Sequence, residues 1–282
     1  SLVNTIVRLI KPSLGELIQD PASGSGGFLV SADSYIRNKY SREKYKSNPP
    51  KYQGVEIEKN TRRICLMNAF LHNLDANIIY GDALTDDVAG LDEADVILAN
   101  PPFGNKAGGQ RPLRNDIPFP NTNKQLAFLQ HIYLKLKAGG RAAVVVPDNV
   151  LFESGVGTDV RRDLMNKCNL HTILRLPTGI FYAQGVKTNV LFFTKGSDKD
   201  KYQQDSCTEN VWVYDLRTNM PSFGKRTPFG NSDIGFAAED FGTDQHLGAF
   251  EKVFGDNPDG TSKRTEGEYS FGATDIEIDT EA

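Results

Sequence analysis

The chain has 282 residues, of which 39% are hydrophobic and 24% charged, a composition typical of folded globular proteins and not of disordered ones. No apolar run approaches the roughly 18 to 20 residues of a membrane-spanning helix, and the first residues lack the basic start of a signal peptide, so we expect a cytoplasmic protein without a membrane partner. The net charge of −4 excludes any argument for nucleic-acid binding from overall charge, so such a surface has to be local or supplied by another subunit.

Segments with helix and strand patterns alternate along most of the chain. Helices are predicted at residues 2–10, from about 28 onward, at 61–73, at 125–137 and at 160–167. Strands are predicted at residues 16–20, 52–57, 77–80, 95–99, 141–147, 170–176, 189–194 and 211–216. This alternation predicts an α/β fold with a mostly parallel, twisted sheet and helices on both faces.

More detailed predictions concern one helix, one pair of strands and the C-terminal region. The helix at 61–73 has apolar residues that we expect to pack on the sheet: Ile64, Met67, Ala69, Phe70 and Leu71. The strands at 170–176 and 189–194 lie close together in sequence, which predicts an antiparallel pair at one sheet edge. From residue 231 onward Gly, Asp, Glu and Ser dominate. We therefore expect a catalytic domain at 1–230 and an extension at 231–282, weakly ordered from residue 256.

The cysteines and histidines predict no metal site. The three cysteines lie far apart in the sequence and are odd in number, which gives neither a disulfide framework nor a zinc-binding spacing. The histidines have ordinary surface or packing explanations. We therefore expect reduced thiols and no bound metal.

The stretch DPASGSGG places a glycine loop between a strand and a helix. Gly24, Gly26 and Gly27 would let the backbone approach a ligand closely, and Asp20 precedes them. Asp20 can accept a hydrogen bond from a ligand ammonium group but would repel a pyrophosphate. The loop departs from the G-x-G-x-x-G pattern, and a glycine turn without a ligand explains it equally well.

Two further acids follow predicted strands. Glu56 ends the second strand, where an acid binds ribose hydroxyls in many doubly wound folds, although an acid at a helix N-terminus is an equally good explanation. Asp82 has a similar alternative as a turn or capping residue. Ligands of open α/β sheets bind at the carboxyl ends of the strands, where these residues lie. Together, an acid suited to a ribose and an acid suited to an ammonium group around a glycine loop fit S-adenosylmethionine better than NAD.

The stretch DVILANPPFG ends a strand with an amide, two prolines and an aromatic ring. An amino nitrogen on an aromatic or amide carbon is a poor nucleophile, because its lone pair is delocalised. The side-chain oxygen of Asn100 and the backbone carbonyl of Pro101 can accept its two N–H groups and direct the lone pair at a methyl donor, while Pro101 and Pro102 have a fixed φ. Phe103 can stack on a planar substrate. The alternative is an Asn-Pro turn with a packed Phe.

The same stretch argues against carbon methylation. Attack on a cytosine ring carbon requires a thiolate nucleophile, and no cysteine follows a proline in a comparable turn. Methylation of an amino nitrogen by direct displacement remains.

Seven stretches of the sequence together resemble the modification subunit of type I restriction and modification enzymes, which is a DNA adenine N6-methyltransferase. They run from the first residues to about Phe229: DPASGSGGFL, GVEIEKNTRRICLMNAFLHN, GDAL, DVILANPPFG, LKAGGRAAVVVPDNVLF, GVKTNVLFF and YDLRTNMPSFGKRTPF. The family also carries an N-terminal helical region with a further cofactor motif, which we expect to precede this chain in a longer protein.

The resemblance implies a fold, a reaction and partners. These are a Rossmann-like methyltransferase fold, S-adenosylmethionine as methyl donor, and a flipped adenine in DNA as substrate. The implied partners are a specificity subunit that reads the DNA sequence, a second modification subunit and a restriction nuclease subunit. Six residues match the family's cofactor site: Asp20, Ser25, Gly26, Gly27, Glu56 and Asp82. Gly24 lies in the same glycine loop and is assigned to the same site. The residues that match the family's catalytic motif are Asn100, Pro101, Pro102 and Phe103.

The connection at residues 104–123 is long for a strand-to-helix connection and carries basic residues. These are Lys106, Arg111 and Arg114, and Lys124 directly follows the connection. We expect the connection to reach the DNA backbone near the extruded base, and the alternative is a solvated loop.

Two other functions are consistent with the motifs. One keeps the chemistry but methylates a protein glutamine or an rRNA base. The other is a non-catalytic subunit that clamps DNA, although the complete Asn-Pro-Pro-Phe motif argues against it.

Overall fold

The computed structural model describes residues 2–104, 113–180, 186–196, 207–217, 222–223, 250–255, 263–264 and 270–274. Within these ranges no helix combines the length and the apolar character needed to cross a membrane. The predicted basic residues Lys106 and Arg111 lie outside the described residues, as does most of the extension at 231–282.

Helices and strands alternate largely as the sequence predicts. The helices are α1 (Leu2–Ile10), α2 (Gly27–Lys39), α3 (Arg42–Ser47), α4 (Lys59–Leu71), α5 (Lys124–Lys135), α6 (Asn149–Phe152) and α7 (Val156–Lys167). The strands are β1 (Leu17–Asp20), β2 (Lys51–Glu56), β3 (Ala76–Tyr80), β4 (Ala94–Ala99), β5 (Leu136–Pro147), β6 (Cys168–Leu176), β7 (Thr188–Lys195), β8 (Asn210–Asp215) and β9 (Ser270–Thr274).

The strands of the described residues form one sheet of nine, in the order β3-β2-β1-β4-β5-β7-β6-β8-β9. The first five of these are parallel neighbours, and β7 runs antiparallel between β5 and β6. The predicted α/β fold with a mostly parallel sheet is therefore confirmed. The predicted antiparallel pairing of β6 with β7 is also present, but β7 is an interior strand and not an edge strand.

Both faces of the sheet are covered by helices, so its central strands are apolar on both sides. On β4, Val96 and Leu98 belong to the core beneath α1 and α2, while Ile97 and Ala99 face the core beneath α5 and α7. All four side chains are fully buried. Strand side chains alternate between faces, so one apolar run supplies both cores.

Helix α4 does not bury its apolar residues as predicted. Cys65 and Ala69 pack on the sheet, but the other apolar residues predicted for this face are exposed, with Phe70 at 81%. The exposed residues are Ile64, Met67, Phe70 and Leu71. They lie on the helix face opposite Cys65, as expected from the 3.6-residue period. The apolar pattern therefore predicted the helix correctly and the buried face incorrectly.

Three local predictions need correction. The helix predicted to reach residue 137 ends at Lys135, because Leu136 already has extended backbone and begins β5. Gly139 and Gly140, expected to end that helix, lie within β5, where a Cβ on Gly140 would be 3.0 Å from the Ala94 carbonyl. Part of the region expected to be weakly ordered forms β9, which pairs antiparallel with β8.

A buried carboxylate connects α2, α3 and β2. Asp33 accepts hydrogen bonds from the hydroxyls of Tyr45 at 2.5 Å and Tyr52 at 3.0 Å, and from Nε of Arg37 at 2.6 Å. Burial, followed by the hydrogen bond to Asp33, raises the pKa of Tyr45 to about 12, so its hydroxyl stays a donor.

We expect Asp33→Ala to lower the free energy of unfolding by about 3 kcal/mol, because the substitution leaves buried donors unsatisfied. Urea unfolding measures the loss. Asp75→Ala, at an exposed aspartate, is the matched control and should change stability by less than about 0.5 kcal/mol. Equal stability of the two variants would contradict the role assigned to Asp33.

Candidate active site

The carboxyl ends of the first four strands meet at one sheet edge and open into a cavity of about 290 Å³. Its wall includes four polar residues predicted from the sequence, Glu56, Asp82, Asn100 and Lys124. The complete lining is Pro21, Ala22, Gly24, Val55, Glu56, Ile57, Gly81, Asp82, Ala83, Leu84, Asn100, Pro102, Lys124 and Phe128. Residues from four separate sequence motifs therefore share one cavity.

The glycine loop between β1 and α2 contributes one of its predicted residues to the cavity. Gly24 and Gly26 have φ of +53° and +84°, a left-handed backbone that favours glycine. Gly24 lines the cavity, whereas Gly26 packs against α4. Ser25 and Gly27 are exposed and lie outside the cavity wall.

Asp20 lies behind the cavity wall. The residue is 1% exposed, and its Oδ1 accepts a hydrogen bond from the Ala22 amide at 3.0 Å. Burial raises the pKa of Asp20 to about 7, with the Ala22 hydrogen bond opposing this effect and the charge of Glu56 adding to it. Because Pro21 and Ala22 line the cavity, a carboxyl that titrates near neutral pH lies directly behind its surface.

Glu56 ends β2 with both carboxylate oxygens oriented by the backbone. Oε2 accepts a hydrogen bond from the Gly24 amide at 2.9 Å, and Oε1 accepts one from the Glu58 amide at 2.8 Å. Each carboxylate oxygen can accept a second hydrogen bond. The side chain therefore presents two oriented acceptors and also ties the glycine loop to β2.

Asp82 follows β3 and is oriented in a similar way. Its Oδ1 accepts a hydrogen bond from the Leu84 amide at 2.9 Å, and its own amide donates to Asp87 at 3.2 Å. The predicted turn role is therefore present, and Asp82 also lines the cavity.

Two residues of the Asn-Pro-Pro-Phe turn line the cavity, and the other two are buried or half-buried. Asn100 and Pro102 are exposed and line the same cavity as Glu56. Pro101 is buried, and Phe103 is half-buried and packs against the core beneath α1 and α2. Asn100 thus lies at the cavity and is not buried away from it.

The prediction that Arg114 reaches DNA is wrong. Its guanidinium is buried, with Nη1 donating to the Ala83 carbonyl at 2.8 Å and Nε donating to Asp116 at 2.8 Å. Nη1 also lies 2.8 Å from Nδ1 of His131, which must accept because a guanidinium has no acceptor. Burial, followed by the charge of Arg114, lowers the pKa of His131 to about 3. Arg114 thus fixes the segment before α5 to the cavity wall.

Lys124, the first residue of α5, is a predicted basic residue that lines the cavity, whereas Arg114, the other one that the structure describes, does not. The Lys124 side chain has no acidic partner among the residues that the structure describes. The lining of the cavity thus includes a basic side chain together with Asn100 and Pro102.

Several residues near the site were not singled out by sequence reasoning. Ile57 and Phe128 add apolar walls to the cavity, and Ile57 is 61% exposed. Gln125 contacts the Asn-Pro-Pro-Phe turn through a hydrogen bond to Pro102. Ile57 directly follows a predicted strand-end acid, which could have identified it, whereas Gln125 lies within an ordinary helix pattern and gives no signal.

Three of the sequence stretches that resemble the family also meet at the carboxyl ends of the parallel strands. Asp148 belongs to the PDN motif at residues 147–149. It accepts hydrogen bonds from Nη2 of Arg217 at 2.5 Å and from Nδ2 of Asn189 at 2.7 Å. Nη2 of Arg217 also donates to Oδ1 of Asn189 at 3.0 Å. Burial alone would raise the pKa of Asp148, but hydrogen bonds from Arg217 and Asn189 hold it below its ordinary value. The cluster joins the ends of β5 and β8 to the start of β7.

Comparison with known proteins supports one family. The sequence model described as N-6 DNA Methylase matches residues 1–263. The type I restriction enzyme EcoKI methylase subunit of Escherichia coli (strain K12) is 51% identical over 98% of the chain and 52% of that subunit. The EcoEI methylase subunit of Escherichia coli is 38% identical over 74% of the chain and 42% of its own length. The crystal structure of the EcoKI M protein superposes with a TM-score of 0.80, covering 95% of this chain and 55% of that one. The chain thus spans about half the length of these relatives.

Proposed function

The chain belongs to the N-6 DNA methylase family, and we propose that it is the catalytic part of a type I modification subunit. The proposed reaction transfers a methyl group from S-adenosylmethionine to the N6 amine of a flipped adenine in DNA. The observation that carries the proposal is one cavity that unites Glu56 and Asp82 with Asn100 and Pro102.

The residues of the cavity fit the cofactor. Glu56 offers two oriented acceptors, which suit the two hydroxyls of a ribose. The exposed Ile57 beside it, with Leu84 and Phe128, provides an apolar surface for an adenine ring. Asp20 lies behind the wall near the glycine loop, where its carboxylate would attract the ammonium group. The bound cofactor would supply a methyl group made electrophilic by its sulfonium.

Asn100 and Pro101 would prepare the substrate amine. The Asn100 side-chain oxygen accepts one N–H of the adenine amine, and the backbone carbonyl of Pro101 accepts the other. With both N–H groups held, the nitrogen lone pair would leave conjugation with the ring and face the methyl donor. As the N–C bond forms, the S–C bond of the sulfonium would break, and the methylated amine would release one N–H proton. The exposed part of the Phe103 ring would stack on the flipped base.

We also propose that the chain contacts DNA and other subunits and that it consists of a catalytic domain and an extension. Lys124 at the cavity would contact a DNA phosphate beside the flipped nucleotide. With a net charge of −4, the chain would obtain most of its DNA contacts from other subunits, which fits a complex with a specificity subunit, a second modification subunit and a nuclease subunit. Residues 1–230 would form the catalytic domain and residues 231–282 an extension.

A methylation assay tests the proposed function. The full-length protein is co-purified with its specificity subunit and supplied with cofactor carrying a labelled methyl group. We expect label in DNA as N6-methyladenine and none in ribosomes or release factors. Label in rRNA or in a protein glutamine would replace the proposed substrate. Failure of the complex to bind cofactor would favour a non-catalytic subunit.

Cofactor binding should depend on pH through Asp20. Its raised pKa, about 7, means that the carboxylate that attracts an ammonium group forms only as the pH rises through neutrality. We therefore expect affinity to increase from about pH 6 to about pH 8, with a limiting slope of about tenfold per pH unit below the pKa. Asp20→Asn should lose this dependence and bind about tenfold more weakly at the upper end.

Titration calorimetry of the full-length protein at several pH values measures both effects. A wild-type affinity that is flat across this range, or a variant that keeps the slope, would remove Asp20 from the binding site.

A further inference from the structure

The turn after β4 is held by the first residues of α5. Nε2 of Gln125 donates a hydrogen bond to the carbonyl of Pro102 at 3.3 Å, and the amide of Lys124 donates to the carbonyl of Gly104 at 3.2 Å. Pro101 and Pro102 have no N–H of their own, so the turn cannot anchor itself through these residues. Both hydrogen bonds that hold its carbonyls come from α5.

Gln125 is itself held rigidly. The residue is 4% exposed, and its backbone N–H donates to Oδ1 of Asn123, the N-cap of α5, at 2.9 Å. The same Oδ1 accepts from the Leu126 amide, so the capping oxygen is directed into the helix. The side chain of Gln125 thus extends from a fixed helix start.

The N-cap is oriented in turn by a carboxylate. Because Oδ1 of Asn123 caps the helix, its Nδ2 points away and donates to Oε2 of Glu153 at 2.6 Å. The same oxygen accepts from Nδ2 of Asn149 at 3.2 Å, which belongs to the PDN motif. A polar chain therefore runs from the end of β5 through Glu153 and Asn123 to the start of α5.

We propose that Gln125 is a positioning residue for methyl transfer, an inference that rests on the proposed function. The rings of Pro101 and Pro102 fix φ, and peptide planarity fixes ω, which leaves ψ as the soft backbone torsion at each proline. The hydrogen bond from Gln125 restrains the Pro102 carbonyl. Because φ of Pro102 is fixed, the orientation of the Pro101 carbonyl relative to the Pro102 carbonyl depends only on ψ of Pro102. Holding the Pro102 carbonyl therefore limits the directions open to the Pro101 carbonyl, which is the second acceptor for the substrate amine.

Two substitutions in the full-length modification subunit, purified with its specificity subunit, test this role. Gln125→Met keeps the length of the side chain but has no donor, and we expect kcat to fall about tenfold with KM for DNA and for cofactor within about twofold. Gln125→Glu can donate to the carbonyl only when protonated. Its kcat relative to wild type should therefore rise as the pH falls, whereas the ratio for Gln125→Met stays constant.

Gln130→Met is the matched control. Gln130 is a fully buried glutamine in the same helix, but its hydrogen bonds go to Phe119 and Leu126 and not to the catalytic turn. It should lose thermal stability with little change in kcat and no distinct pH profile. If Gln125→Met fails to fold, the pH profile of Gln125→Glu still decides.

Three results would overturn the proposal: an unchanged kcat in Gln125→Met, a loss confined to KM, or the same pH profile for both Gln125 variants. Failure of the proposed function would appear separately, as wild-type complex that does not methylate adenine in DNA.

Discussion

Asn100→Ala is expected to lower the rate of methyl transfer about 10²- to 10³-fold while the protein keeps its fold and its cofactor affinity. The magnitude is that of removing one preorganised hydrogen-bonding group from a catalytic site. Asn100 is exposed, lines the cavity and makes no hydrogen bond within the described residues, so its loss should change stability by less than about 0.5 kcal/mol. The measurement is single-turnover methylation of DNA by the full-length complex.

The control for this prediction is Asn77→Ala. Asn77 is an exposed asparagine on β3 that does not line the cavity, so its replacement should leave the rate unchanged. An Asn100 variant that methylates DNA at the wild-type rate would remove Asn100 from the mechanism. A variant that loses cofactor affinity and stability together would assign it a structural role.

Glu56→Gln is expected to weaken cofactor binding about 10- to 100-fold. Hydrogen bonds to a charged acceptor contribute about 1.5–3 kcal/mol each, and the amide retains only one acceptor oxygen in place of two. Because Glu56 would bind the cofactor ribose and not the reacting atoms, kcat at saturating cofactor should stay within about threefold of wild type. Equilibrium dialysis with the full-length protein measures the affinity.

Glu93→Gln, at an exposed glutamate outside the cavity, is the matched control for charge and should bind normally. Glu56 also accepts the Gly24 amide, so the variant could act through the glycine loop. Hydrogen exchange of that loop in the absence of cofactor separates the two causes. Unchanged affinity in Glu56→Gln would defeat the assignment of the cofactor site.

The sequence predicted the interior strands well because they are buried on both faces. An apolar run such as Val96 to Ala99 can bury all of its side chains only if helices cover both faces of the sheet. Strand order was not predictable in the same way. The position of β7 between β5 and β6 depends on pairing between segments distant in sequence, and a short turn-rich connection fits an edge or an interior strand equally well.

Burial on α4 shows a second limit of pattern reasoning. Ile64 and Met67 have the spacing of a core face, but the helix packs through Cys65 and Ala69. Small residues allow the helix to approach the sheet and the glycine loop closely, and a Cβ on Gly26 would already lie 3.0 Å from Sγ of Cys65. The buried face of α4 is therefore the one whose small side chains allow close packing, and not the most hydrophobic one.

The sequence by itself determined the residue types of the candidate site, because Glu56, Asp82 and Asn100 each follow a recognisable strand and parallel strands place their carboxyl ends together. Only the tertiary structure decided which of them reach the cavity and which support it: it buried Asp20 behind the wall, paired Arg114 with Asp116 and placed Gln125 on Pro102. These outcomes depend on side-chain partners from distant segments, and such partners come together only when the helices pack on the sheet.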